Sequence, residues 1–118
     1  MLAKTVLLAT LGAFASAQTF VGYPKSLTCK TASGPVDISA TEYQKAIVGP
    51  QGLEVEKDAS NIASGKCSTL SGIPLFSQRV DGKGTVSFAY DKAKDTYHFC
   101  NAQGTIIEKG FPSPCTEN

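Results

Sequence analysis

Apolar residues along this chain change their spacing, and the spacing names the elements. In DISATEYQKAIVGP, residues 37–50, Tyr43, Ala46 and Ile47 recur at helical intervals and form one apolar stripe. Ser39 and Glu42 make a capping box, in which each side chain accepts from a backbone N–H at the helix start. Ile38 and Tyr43 occupy the two positions of a hydrophobic staple. Gly49 tolerates positive φ just past the end and Pro50 cannot continue the helix, so the pattern predicts one helix of about ten residues.

Elsewhere the period shortens to two, the mark of strands. FVGY (20–23) and SLTCK (26–30) read as an N-terminal hairpin turning at Pro24. LEVEK (53–57) alternates strictly, Leu53 and Val55 against Glu54 and Glu56, which places the two carboxylates on one face. IPLFSQRV (73–80) and TVSFAY (85–90) flank DGKG, an Asp-Gly hairpin signal. DKAKD is a polar turn leading into TYHFC, NAQG reads as a further turn, and TIIEK as the next strand. On TYHFC, Tyr97 and Phe99 share one face, and Thr96, His98 and Cys100 the other. DASNIASG, with Lys66 after it, reads as a loop over 58–66, and FPSPC as irregular, since prolines do not sit inside a sheet ladder. One helix followed by an antiparallel meander is an α+β layout: a sheet packing its apolar face on one short helix.

Residues 1–17, MLAKTVLLATLGAFASA, change the picture of compartment. Lys4 is a positive n-region, Val6 to Phe14 a short apolar run, and Ala15-Ser16-Ala17 a small-residue cleavage site, so the chain reads as exported and mature from Gln18. The remaining 101 of the 118 residues make one domain with a thin core. Four cysteines in an exported domain of this size read as two disulfides, with three possible connectivities. Zinc is disfavoured, because no two cysteines are spaced as a knuckle and there is one histidine. Without Lys4 the eleven basic residues become ten, matching the ten acidic ones. The charges are interspersed, with no basic stripe to track phosphates. No later run is apolar enough to span a membrane.

The runs LTCKTASGPVDISATEYQKAI and VSFAYDKAKDTYHFC…FPSPC place an early cysteine strand, one helix, a meander and a cysteine just before the C-terminus. In this organisation the chain resembles the small guanyl-specific fungal ribonucleases. It resembles still more the secreted ribonuclease-like effectors of plant-pathogenic fungi, which keep that scaffold. The resemblance implies a microbial ribonuclease fold and two disulfides, Cys29 with Cys115 and Cys67 with Cys100. It also implies a metal-free site of two histidines, a glutamate and an arginine on adjacent strands, with guanine bound beside tyrosines.

Cleavage through a cyclic phosphate needs a base, an acid and donors to the phosphoryl oxygens. This chain has one histidine and one arginine. Where the family's glutamate would align stand Ser77 or Gln78, and the nearest match to its arginine is Thr85; no histidine lies in NAQGTIIEKGF. The plainer reading of the remaining groups is structural: His98 beside a disulfide, Arg79 solvated at a strand end, Glu54 and Glu56 on a solvent edge. Lys83 in DGKG lacks the context of a phosphate loop.

The expectation is therefore a secreted, monomeric, ribonuclease-like domain over 18–118 with no catalytic residues, cofactor, metal or membrane contact. The resemblance implies a virulence effector that binds a host target, with entry into host cells open; neutral charge favours a host protein over RNA. The 58–66 loop, DGKG and NAQG are the surfaces expected to bind. Were the chain an active ribonuclease instead, His98 would be its acid, Glu54 or Glu56 its base and Arg79 its phosphate clamp. A third alternative is a small disulfide-stapled secreted inhibitor or defence elicitor.

Overall fold

The computed structural model describes residues 18–48, 52–61 and 66–118. The export signal at 1–17, the Gly49-Pro50 helix stop and residues 62–65 of the expected loop lie outside them. The strands are β1 (Thr19–Val21), β2 (Ser26–Thr31), β3 (Gly34–Ser39), β4 (Leu53–Glu56), β5 (Leu75–Val80), β6 (Gly84–Asp91), β7 (Thr96–Glu108), β8 (Phe111–Pro114) and β9 (Thr116–Glu117). The helix α1 (Ala40–Val48) lies between β3 and β4, and short 3₁₀ turns occupy Ala59–Asn61 and Lys92–Lys94. The fold is α+β, with one α-helix among the described residues, mostly antiparallel strands and two disulfides.

The helix begins where its caps place it. The Ser39 N–H donates to Glu42 Oε1 at 3.1 Å and the Glu42 N–H donates to Ser39 Oγ at 3.2 Å. Ile38 and Tyr43, the staple pair, are fully buried in one cluster. The Tyr43 hydroxyl donates to the Pro24 carbonyl, tying the helix to the segment before β2.

There are two sheets. The larger runs β1-β7-β6-β5-β4, with β8 also on β7; the smaller runs β3-β2-β9. The expected N-terminal hairpin does not form. β1 instead lies parallel to β7, with Phe20 opposite Tyr97 and stacked on it at 5.5 Å. The partner of β2 is β3, through a turn at residues 32–33 that the Thr31 hydroxyl holds by donating to the Gly34 carbonyl. That turn brings GPVDIS, which alternates only weakly, into a ladder.

β7 is a second correction. NAQG is not a turn: Thr96–Glu108 is one strand of 13 residues. Its register against β6 pairs Phe88 with Phe99 but Ser87 with Asn101, so Cys100 is an extra residue in a bulge. The bulge reverses the parity of the strand. Tyr97 and Phe99 face the helix side before it, and Ala102 joins the same core after it. FPSPC also departs from expectation. Phe111–Pro114 is a strand at the sheet margin, where missing proline N–H groups cost no ladder bond, and it turns back from β7 through Lys109-Gly110. Both turn residues have positive φ, 53° and 85°, the conformation that a two-residue hairpin requires.

The core sits on the helix side of the large sheet. Leu27, Cys29, Ile38, Tyr43, Val86 and Phe99 join the small sheet, the helix and the large sheet, while Ile47, Phe88 and Tyr97 continue the layer. Complete burial of Phe88 or Phe99 contributes roughly 1.5–3 kcal/mol. A smaller cluster covers part of the opposite face: Ala59 and Cys67 pack on Leu75, Ala89 and Cys100. Cys29 is bridged to Cys115 and Cys67 to Cys100, the pairing that the resemblance implied.

Candidate functional site

The register of the large sheet places each group that a phosphodiester-cleaving site would use. One row across the strands reads Val21, His98, Ala89, Leu75, Glu56. All five residues therefore point to the face away from the helix, with Ala89 and Leu75 buried between His98 and Glu56. Three strand spacings of about 4.8 Å separate the imidazole-bearing strand from the carboxylate-bearing one, roughly 14 Å in all. His98 is half-buried on the same side as Cys100, as the alternation of TYHFC requires.

Glu54 and Glu56 do not share a face. Leu75 pairs with Glu56 and Phe76 with Glu54, so Val55 is an extra residue in a bulge. The two carboxylates consequently flank opposite sides of β4. Glu56 accepts from Asn61 Nδ2 at 3.2 Å and from the Asp58 N–H at 3.4 Å, and so holds the start of the following loop. The same bulge removes Leu53 and Val55 from the core; they are 76 % and 55 % exposed. Strict alternation in LEVEK was thus a misleading signal, because an edge strand with a bulge has no constant inner face.

Arg79 belongs to another row, opposite Thr85, which is opposite Gln103. It is exposed, and lies four residues along β5 from Leu75, roughly 13 Å at strand rise. The structure therefore brings together none of His98, Glu54, Glu56 and Arg79.

Two of the surfaces expected to bind are also committed elsewhere. Lys83 of DGKG donates to Glu42 Oε2 at 2.7 Å and to the Asp37 carbonyl at 3.2 Å, bracing the β5–β6 turn against the helix start. Ala102 and Gly104 of NAQG are buried within β7. In the 58–66 segment, Asp58 Oδ1 accepts from the Ser60 N–H at 3.0 Å and the Ser60 hydroxyl at 2.6 Å. The Ser60 hydroxyl first, then the Gly72 and Ser60 N–H groups, hold the Asp58 carboxyl below its ordinary pKa.

Two concave surfaces along the large sheet bear on function. The first, about 380 Å³, lies beside Arg79, Thr85, Gly104 and Thr105. It adjoins a polar face formed by two register rows, Arg79–Thr85–Gln103 and Ser77–Ser87–Asn101. These rows offer one guanidinium, hydroxyls and amides, suited to hydrogen bonding but carrying no proton acceptor of useful basicity. Part of their signal was present in the sequence, where Ser77 and Arg79, and likewise Thr85 and Ser87, stand two residues apart on their strands.

The second, about 510 Å³, opens at the far edge of the sheet. It is lined by Glu54, the segment 72–74, Phe76, Tyr90, Asp91 and Lys92. Sequence reasoning took Glu54 as a solvent-edge residue and gave Phe76 and Tyr90 no part in a site, so this grouping was missed. Its aromatic wall is held rigidly. Phe76 stacks on Phe88 at 5.7 Å, and Tyr90 stacks on Tyr97 at 4.4 Å. The Tyr90 hydroxyl donates to Asp95 Oδ1 at 2.7 Å, and that carboxylate is the first cause, ahead of burial, of a phenol pKa pushed up to about 12.

Among the described residues no group of three His, Cys, Asp or Glu side chains could hold a metal ion, and no helix is long and apolar enough to cross a membrane. No protein family, curated protein or solved structure matches this chain.

Proposed function

We propose that this chain is an exported, ribonuclease-like effector that performs no catalysis and acts by binding a host target, a protein in preference to RNA. The observation that carries the reading is the scatter of the chemical groups. His98 and Glu56 are divided by two buried apolar positions, Glu54 stands on the other side of its strand, and Arg79 lies more than a strand's half-length away. Proton transfer in a transition state requires hydrogen-bond reach to the same reacting atoms, about 2.6–3.2 Å or through one water. Groups more than ten ångströms apart along a rigid ladder do not meet that condition.

The preference for protein rests on charge. A chain with equal numbers of acidic and basic residues after position 17, evenly interspersed, lacks the counterion-releasing surface that dominates nucleic-acid affinity. The test is to incubate the purified, oxidised 18–118 chain with RNA beside its His98→Ala variant. The expected result is no cleavage by either. Turnover by the unaltered chain that His98→Ala abolishes would overturn the proposal in favour of an active ribonuclease.

A further inference from the structure

We infer that the cavity at the β4 edge is a receptor for an arginine side chain presented by a partner protein, an inference that rests on the protein-binding reading above. Three features converge there. Glu54 is opposite Phe76 in register, and the Tyr90 N–H donates to the Pro74 carbonyl at 3.2 Å, so carboxylate, ring and the 72–74 segment frame one opening. Phe76 and Tyr90 each already stack one face on an inner ring, which leaves a fixed outer face or edge for the cavity. Glu54 and Asp91 form none of the ion pairs found among the described residues, and Lys92 is the one cation in the lining.

A rigid aromatic wall with the Glu54 carboxylate on its side of the sheet is the chemistry that recognises a planar cation. Guanidinium stacks on a ring through its flat face and donates in a fork to a carboxylate, which an ammonium does not reproduce. The volume is ample for one such side chain and its apolar stem. The one cation of the lining, Lys92, is opposed by Glu54, and a neutral apolar group would leave that carboxylate uncompensated.

The probe is N-acetyl-arginine-N-methylamide, titrated into the oxidised 18–118 chain and followed by amide chemical shifts, with the citrulline analogue as the neutral isostere. Saturable shifts are expected at Phe76, Tyr90 and Asp91, with citrulline binding more weakly. Glu54→Gln should weaken arginine binding roughly threefold to fivefold, the upper part of the range of an exposed ion pair, and Lys92→Gln should strengthen it. Both positions are exposed, so neither change threatens folding. Non-saturating shifts, equal binding of citrulline, or indifference to Glu54→Gln would each overturn the inference. Those outcomes leave the absence of RNA cleavage standing, so failure of the cavity and failure of the non-catalytic reading are distinguishable.

Discussion

At Gly104 the backbone of β7 comes so close to β2 that an added β-carbon would stand 2.3 Å from the Lys30 carbonyl oxygen and 2.8 Å from its nitrogen. Both neighbours are main chain and neither can swing aside. The glycine in NAQG therefore serves close approach between two sheets, where a sequence reading takes it for turn chemistry. Replacing it should act as overpacking does: Gly104→Ala is expected to lower stability by about 1–3 kcal/mol, read as a fall in the urea midpoint at unchanged slope. An unaltered midpoint would mean that β2 and β7 are not apposed here.

Among the elements, the helix is the one whose caps can be tested directly. Removing the Ser39 hydroxyl leaves the Glu42 N–H without its partner, so Ser39→Ala should cost about 1 kcal/mol. Glu42 adds a pH dependence whose direction follows from its surroundings. Its carboxyl is held below the ordinary value first by the hydrogen bond from Lys83, then by the Ser39 N–H. A depressed folded-state pKa contributes stability above the unfolded value and loses it as pH falls through the folded one. The stability gap between the unaltered chain and Glu42→Gln should hold near neutrality and close on acidification below about pH 4. A gap that widens in acid would contradict this. β4 and β7 teach the complementary lesson. Each carries a bulge, at Val55 and Cys100, and each bulge reverses the faces that period-two reasoning assigns downstream.

For the whole molecule, the decisive constraint is the bridge between Cys29 and Cys115, 86 positions apart. It fastens the small sheet to the end of the large one in a domain with few residues to spare for a core. The Lys66–Glu117 ion pair, at 2.6 Å, spans the same region but is half-exposed and contributes little by comparison. In the chain-entropy description, stabilisation grows with the loop closed. Paired Cys29→Ser and Cys115→Ser substitutions should cost about 4–5 kcal/mol, and Cys67→Ser with Cys100→Ser, spanning 33 positions, about 3–4 kcal/mol. Denaturant unfolding of the two double variants checks the order. The shorter bridge has a local duty as well, since it fastens Cys67 over Leu75 and Ala89 and so fills part of the sheet face beside His98.

The sequence by itself determined the helix with its N-terminal capping box, the β5–β6 hairpin, the α+β class and a poverty of catalytic groups. All of these rest on neighbours within a few residues or on simple counts. His98 sharing a side with Cys100 was legible for the same reason, as two positions one step of alternation apart. Tertiary structure alone decided that β1 runs parallel to β7, that NAQG continues a strand, and that Glu54 and Glu56 part company. It also decided that Glu54, Phe76 and Tyr90 frame one cavity. Each of those depends on pairing register between distant segments, and a one-residue bulge changes register without leaving a mark in composition or period.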